Sequence, residues 1–99
     1  MTYNIVFAVK AEVNIDEIAL LYLNISGQLS LRFLNDLYTT LNKITQQPLL
    51  SFKDSESVYK RRLLNFPYNV YFKLNKTSIV VIGIVHFKRH SRELNKRLK

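Results

Sequence analysis

A chain of 99 residues with 47% hydrophobic content, 6 Tyr and 6 Phe has material for one compact core, so residues 1–99 are read as a single domain. The absence of cysteine excludes disulfides and thiolate metal sites and favours a reducing cytoplasm; no apolar run approaches the roughly 18 residues that cross a bilayer, and the opening MTYNIVFAVKAEVN lacks a secretory pattern. The net charge of +8 is lopsided: residues 1–50 carry three basic groups against four acidic ones, whereas from residue 51 onward twelve basic groups meet only Asp54, Glu56 and Glu93, a polarity suited to nucleic acid or an acidic protein segment.

Thr2 to Val9 alternates, with Tyr3, Ile5, Phe7 and Val9 on one side, and predicts a first strand. A helix is predicted from Asn14, which can cap it, with Asp16 and Glu17 in the first turn and Ile15, Ile18, Ala19, Tyr22 and Ile25 on one face; Ser26 and Gly27 end it. A second helix, capped by Ser30, carries Phe33, Leu34, Leu37, Tyr38, Leu41 and Ile44 as an apolar stripe and stops at Pro48. The short turn between them makes a helical hairpin, whose apolar stripes are of core width with polar opposite faces.

Leu49 to Ser57 reads as a loop. Three strands are then expected. Val58 to Asn65 is followed by a Phe66-Pro67 corner; Tyr68 to Leu74 sends Tyr68, Val70, Phe72 and Leu74 to the core and Asn69, Tyr71 and Lys73 outward. After the turn at Asn75-Lys76-Thr77, Ser78 to Phe87 is the most apolar stretch and is assigned the middle of the sheet. The basic tail from His90 to Lys99 suits a short helix or a frayed end. The expected architecture is α+β: an N-terminal strand, a helical hairpin and a three-stranded antiparallel meander, forming one four-stranded sheet covered on one face.

Residues 61 to 89, RRLLNFPYNVYFKLNKTSIVVIGIVHFKR, resemble the sheet segment of the RelE/ParE toxin superfamily. The resemblance rests on the Phe66-Pro67-Tyr68 corner, the Val70-Tyr71-Phe72 step, and His86 with Arg89 closing the apolar strand; the upstream element order extends it over nearly the whole chain. It implies the toxin of a bacterial type II toxin–antitoxin system, held inactive in a hetero-oligomer by a cognate acidic antitoxin. Some members of the superfamily act as mRNA interferases, binding and cutting mRNA on the ribosome to inhibit translation, while others bind DNA gyrase and cut nothing. This chain departs from the RNA-cutting pattern in two places. The arginine common after the tyrosine of the second meander strand is Asn69 here, and the tyrosine expected beyond the apolar strand falls near Leu94.

Cleavage by 2′-hydroxyl attack needs proton transfer and positive charge on the scissile phosphate. With that tyrosine gone, His86 or His90 is left to move the proton, and Arg62, Lys88 and Arg89 to hold phosphate. The catalytic candidates are therefore His86, Arg62 and Arg89, and the RNA- or target-binding candidates Arg61, Tyr71, Lys73, Lys88, His90 and Arg92. Lys60 and Arg62 share one strand face and Arg61 takes the other. Simpler roles exist for each: a charged edge strand for the arginines, hydrogen bonding at a strand end for His86, cross-strand packing for Tyr71, a solvated tail for His90 and Arg92. No cofactor, metal or membrane is expected. The function expected is growth inhibition by ribosome-dependent mRNA cleavage; the alternatives are a non-catalytic gyrase inhibitor and a plain basic nucleic-acid-binding domain.

Overall fold

The computed structural model describes residues 3–88. Strand β1 (Asn4–Phe7) runs into helix α1 (Val9–Leu23), which is followed by α2 (Gly27–Gln46), a 3-10 turn (Pro48–Leu50), and strands β2 (Phe52–Lys53), β3 (Tyr59–Arg62), β4 (Tyr68–Leu74) and β5 (Ser78–His86). The strands form one sheet in the order β1-β5-β4-β3-β2. Only the β1–β5 pairing is parallel; the others are antiparallel. The expected α+β class with a helical hairpin on one face is what the chain forms. The sheet has five strands, not four, because residues 52–53 of the anticipated loop pair with Lys60 and Tyr59.

Alternation decides which side chains are buried. Val70, Phe72, Ile79 and Val81 are fully buried beneath Phe33, Leu37, Leu41 and Ile44 of α2 and Ala11 and Ile18 of α1. Each large aliphatic or aromatic group so buried contributes about 1.5–3 kcal/mol relative to exposure. Aromatic edges knit one end of this core: Tyr22 meets Phe66 at 5.1 Å and Phe33 meets Tyr68 at 5.8 Å, both edge-on.

Several local expectations change. Helix α1 begins at Val9 rather than Asn14, since β1 feeds it directly through an extended Ala8 whose N–H donates to the Val81 carbonyl. Asn14, freed from capping, accepts from the Ile84 N–H at 3.1 Å and ties α1 to β5. Ser26, not Ser30, caps α2 by accepting from Leu29 N–H; the Ser30 hydroxyl instead donates to the Ala19 carbonyl and locks the hairpin. The outward side of α1 is also less polar than its stripe implied, with Val13, Leu20, Leu21 and Leu23 about half exposed; Ile25 lies beyond the helix, exposed in the interhelical turn. The meander begins at Tyr59 and its last strand ends at His86, each one residue inside the expected limit. The middle of the five strands is β4, with β5 beside it, because β2 extends the opposite edge. Among the described residues, no helix is long and apolar enough to cross a membrane.

Candidate target-binding face

The helices cover one face of the sheet, and among the described residues the other is furnished by the strands themselves, chiefly β3, β4 and β5. Register gives each side chain its face, since directly paired residues point the same way. Lys60 stands opposite Tyr71, Arg62 opposite Asn69 and Asn69 opposite Val85, all on the face away from the helices, where Lys73 joins them opposite Val80. Arg61 lies opposite the fully buried Val70 and therefore on the helix side, where its Nη1 is buried with no hydrogen-bond partner among the described residues. His86, opposite Tyr68, also belongs to the helix side. The pleat thus separates Arg62 from His86, two of the residues singled out together in the sequence.

They meet again at the strand end. The Arg62 guanidinium lies 4.6 Å from the centroid of the Phe87 ring, in cation–π geometry. Phe87 stacks on His86 at 5.4 Å, and His86 sets its ring edge-on to Tyr68 at 5.3 Å. A short row of rings thereby connects the basic face to the helix side. His86 Nδ1 accepts from the Lys88 N–H at 3.2 Å, which in the neutral ring places the proton on Nε2. His86 borders a cleft of about 430 Å³ against α1, shared with Lys10, Asn14, Glu17 and Tyr68.

Tyr71 faces away from the helices as expected, yet it is only 6% exposed, not the open stacking platform its polar neighbours suggested. Burial pushes its phenol above the ordinary 10.0, the nearby Asp54 carboxylate pushes it the same way, and a hydrogen bond with Asn69 opposes them. Asp54 also lies 3.6 Å from Lys60, so part of the positive charge on this face is balanced. Lys73 and Lys88 are exposed. Arg89, His90 and Arg92 lie outside the described residues.

The corner before β4 is positioned from α2. Asp36, 5% exposed, accepts from the main-chain N–H of Leu64 at 3.1 Å and of Asn65 at 2.7 Å. This carboxylate clamp holds the chain between Arg62 and Tyr68. A second control lies at β5, where pairing shifts between Tyr71 and Phe72 and the strand bulges. Gly83 lies there, and a Cβ at this position would come 3.4 Å from the Asn14 Oδ1 that binds the next residue, within ordinary contact. Phe87, Asp54, Asn14 and Asp36 were missed as site-building residues. Only Phe87 had a sequence cue, its place beside His86; the others act across 17 to 70 residues of chain.

A five-stranded sheet with a helical hairpin on one side and a basic surface on the other defines a protein of ParE-like fold. Neither a family model nor a curated protein matches the chain. Among solved structures it is similar to a chain of the chromosomal ParDE TA system from P. aeruginosa, with a TM-score of 0.74 and 17% identity, covering 86% of this chain and 96% of that one. At that identity the likeness is one of fold.

Proposed function

We propose that this chain is the toxin of a type II toxin–antitoxin pair, of the RelE/ParE superfamily, that arrests growth by docking on a macromolecular target and is restrained by an acidic antitoxin. The ParDE likeness, the motifs of residues 61–89 and the lopsided positive charge support this reading. The observation that carries the docking mechanism is the division made by the pleat: Lys60, Arg62 and Lys73 share the open face while His86 faces the helices. The only tyrosine of β4 on the open face is buried. A basic surface that carries no histidine among the described residues suits binding, for which a protein such as gyrase is the natural class of target.

A second reading, ribosome-dependent mRNA cleavage, draws support from the ring row joining Arg62 to His86. A pulse of expression without antitoxin, followed by mapping of mRNA 5′ ends and plasmid supercoiling, separates the two. Altered supercoiling or trapped DNA breaks with intact messages is the expected result; new cuts inside translated codons would establish the nuclease instead. The absence of any growth arrest would overturn the toxin assignment.

A further inference from the structure

A second cleft lies between α2 and the corner that joins β3 to β4. Its volume is about 590 Å³, larger than the cleft beside His86 and within the range of ordinary small-molecule sites. One wall is α2, from Leu29 to Thr39; the other is Leu64, Asn65 and Phe66 of the corner. The α2 residues recur at three- and four-residue spacing, so a single side of the helix faces the corner.

The lining has an apolar part and a polar part. Leu64 is 66% exposed, a large aliphatic side chain at a corner otherwise open to water, and it joins the half-buried Leu29 and Phe66. Phe66 is fixed from behind by edge-on contacts with Tyr22 at 5.1 Å and Phe33 at 5.7 Å. Asn35 and Asn65, both exposed, bring amides that can donate and accept.

Arg32 is the cation of this cleft. Asp36 follows it by four residues, the spacing at which helical ion pairs ordinarily form. The fold turns that carboxylate away: its two oxygens accept from the main-chain N–H groups of Leu64 and Asn65, and among the described residues no ion pair joins it to Arg32. The guanidinium therefore stands at an apolar surface with its fork of donors open to an anion. No second cation lines the cleft, so its charge matches one anionic group and not a run of them.

We infer that the cleft between α2 and the β3–β4 corner is a small-molecule site for a flat ring carrying a single anionic group, the chemistry of a nucleoside monophosphate. Arg32 takes the phosphate in a bidentate contact, Leu29, Leu64 and Phe66 cover the ring, and the amides of Asn35 and Asn65 meet its polar edge. A ligand seated there bridges α2 to the corner that Asp36 already holds. The site is argued from these residues alone and does not rest on the toxin reading.

Titration of the full chain with adenosine monophosphate tests the inference, beside adenosine, inorganic phosphate and a four-nucleotide oligoadenylate, followed by backbone and side-chain amide chemical shifts. The expected result is saturable binding of the monophosphate that weakens with salt, with shifts centred on Arg32, Asn35, Leu64 and Asn65. Adenosine and phosphate alone should each bind roughly tenfold or more weakly, and the exposed-site variants Arg32→Gln and Leu64→Ser should lose affinity by a similar factor while unfolding as the wild type does. Shifts confined to Lys60, Arg62 and Lys73 would place the anion on the open sheet face and overturn the inference. So would adenosine binding as well as its monophosphate, Arg32→Gln binding as well as wild type, or the oligonucleotide occupying the cleft where the monophosphate does not.

Discussion

The guanidinium of Arg62 lies over the ring of Phe87, 4.6 Å from its centroid, so that the last residue of β3 is held by the first residue beyond β5. Phe87 in turn is held by its own N–H, which donates to the Pro67 carbonyl, and by its stack on His86. Arg62 is thereby aimed while its charge stays on the open face.

Replacing Arg62 with Ala is expected to lower stability by no more than about 1 kcal/mol, the scale of an exposed cation–π contact. Growth arrest should nonetheless fall sharply, because the most oriented cation of the basic face is removed. Arg62→Lys should recover part of the activity through charge. A folded Arg62→Ala protein as toxic as wild type would show that this face is not the target surface.

His86→Gln distinguishes docking from catalysis. The amide can still accept from the Lys88 N–H but cannot shuttle a proton, so under the docking reading toxicity is retained within a few fold. Loss of two or more orders of magnitude, measured by induced growth arrest with unchanged thermal unfolding, is the signature of general acid–base chemistry, for which contributions of about 10²–10⁴-fold are ordinary.

Asp36→Ala removes the acceptor of two main-chain donors at the corner before β4. Bonds to a charged acceptor contribute about 1.5–3 kcal/mol, and the stranded N–H groups add desolvation, so a loss of about 3 kcal/mol is expected in denaturant unfolding. Asp36→Asn retains one acceptor oxygen and should lose about half as much.

Tyr71 gives a pH signature. Its phenol is held above the ordinary 10.0, so the folded state keeps a proton that the unfolded chain releases. Its contribution is fully present below pH 10.0 and is lost as the pH rises from there through the raised folded value. Ultraviolet titration should show a late-ionising tyrosine that disappears in Tyr71→Phe, and the variant should lose stability less steeply in alkali. An unchanged titration would place the late phenol elsewhere.

Cleavage of the Asn14–Ile84 tie should loosen α1 from β5. Asn14→Ala leaves the Ile84 N–H without its acceptor and is expected to cost about 1–3 kcal/mol, seen as faster exchange of that amide.

Much of the sheet was legible from the chain itself. The limits of β4, the corner at Phe66-Pro67 and the separation of Arg61 from Lys60 and Arg62 follow from two-residue alternation and from a proline that cannot donate, both local properties. Local rules also gave the helical hairpin and the stop at Pro48. What they could not give was the use of side chains across the fold. Asn14 had the chemistry of a cap but lies inside α1, because the Ala8–Val81 bond starts the helix earlier. Residues 52–53 looked like loop and became an edge strand because β3 offered them a partner. Tyr71 had polar neighbours in sequence, yet the fold buries it with Asp54 close by. His86 and Arg62, 24 positions apart, were joined in the sequence reading by their chemistry alone; the pleat puts them on opposite faces and Phe87 links them at the rim. Alternation and capping act over a few residues and are written into the chain, whereas burial, long-range acceptors and the company of a charge depend on which strands pair, and only the tertiary structure decides that.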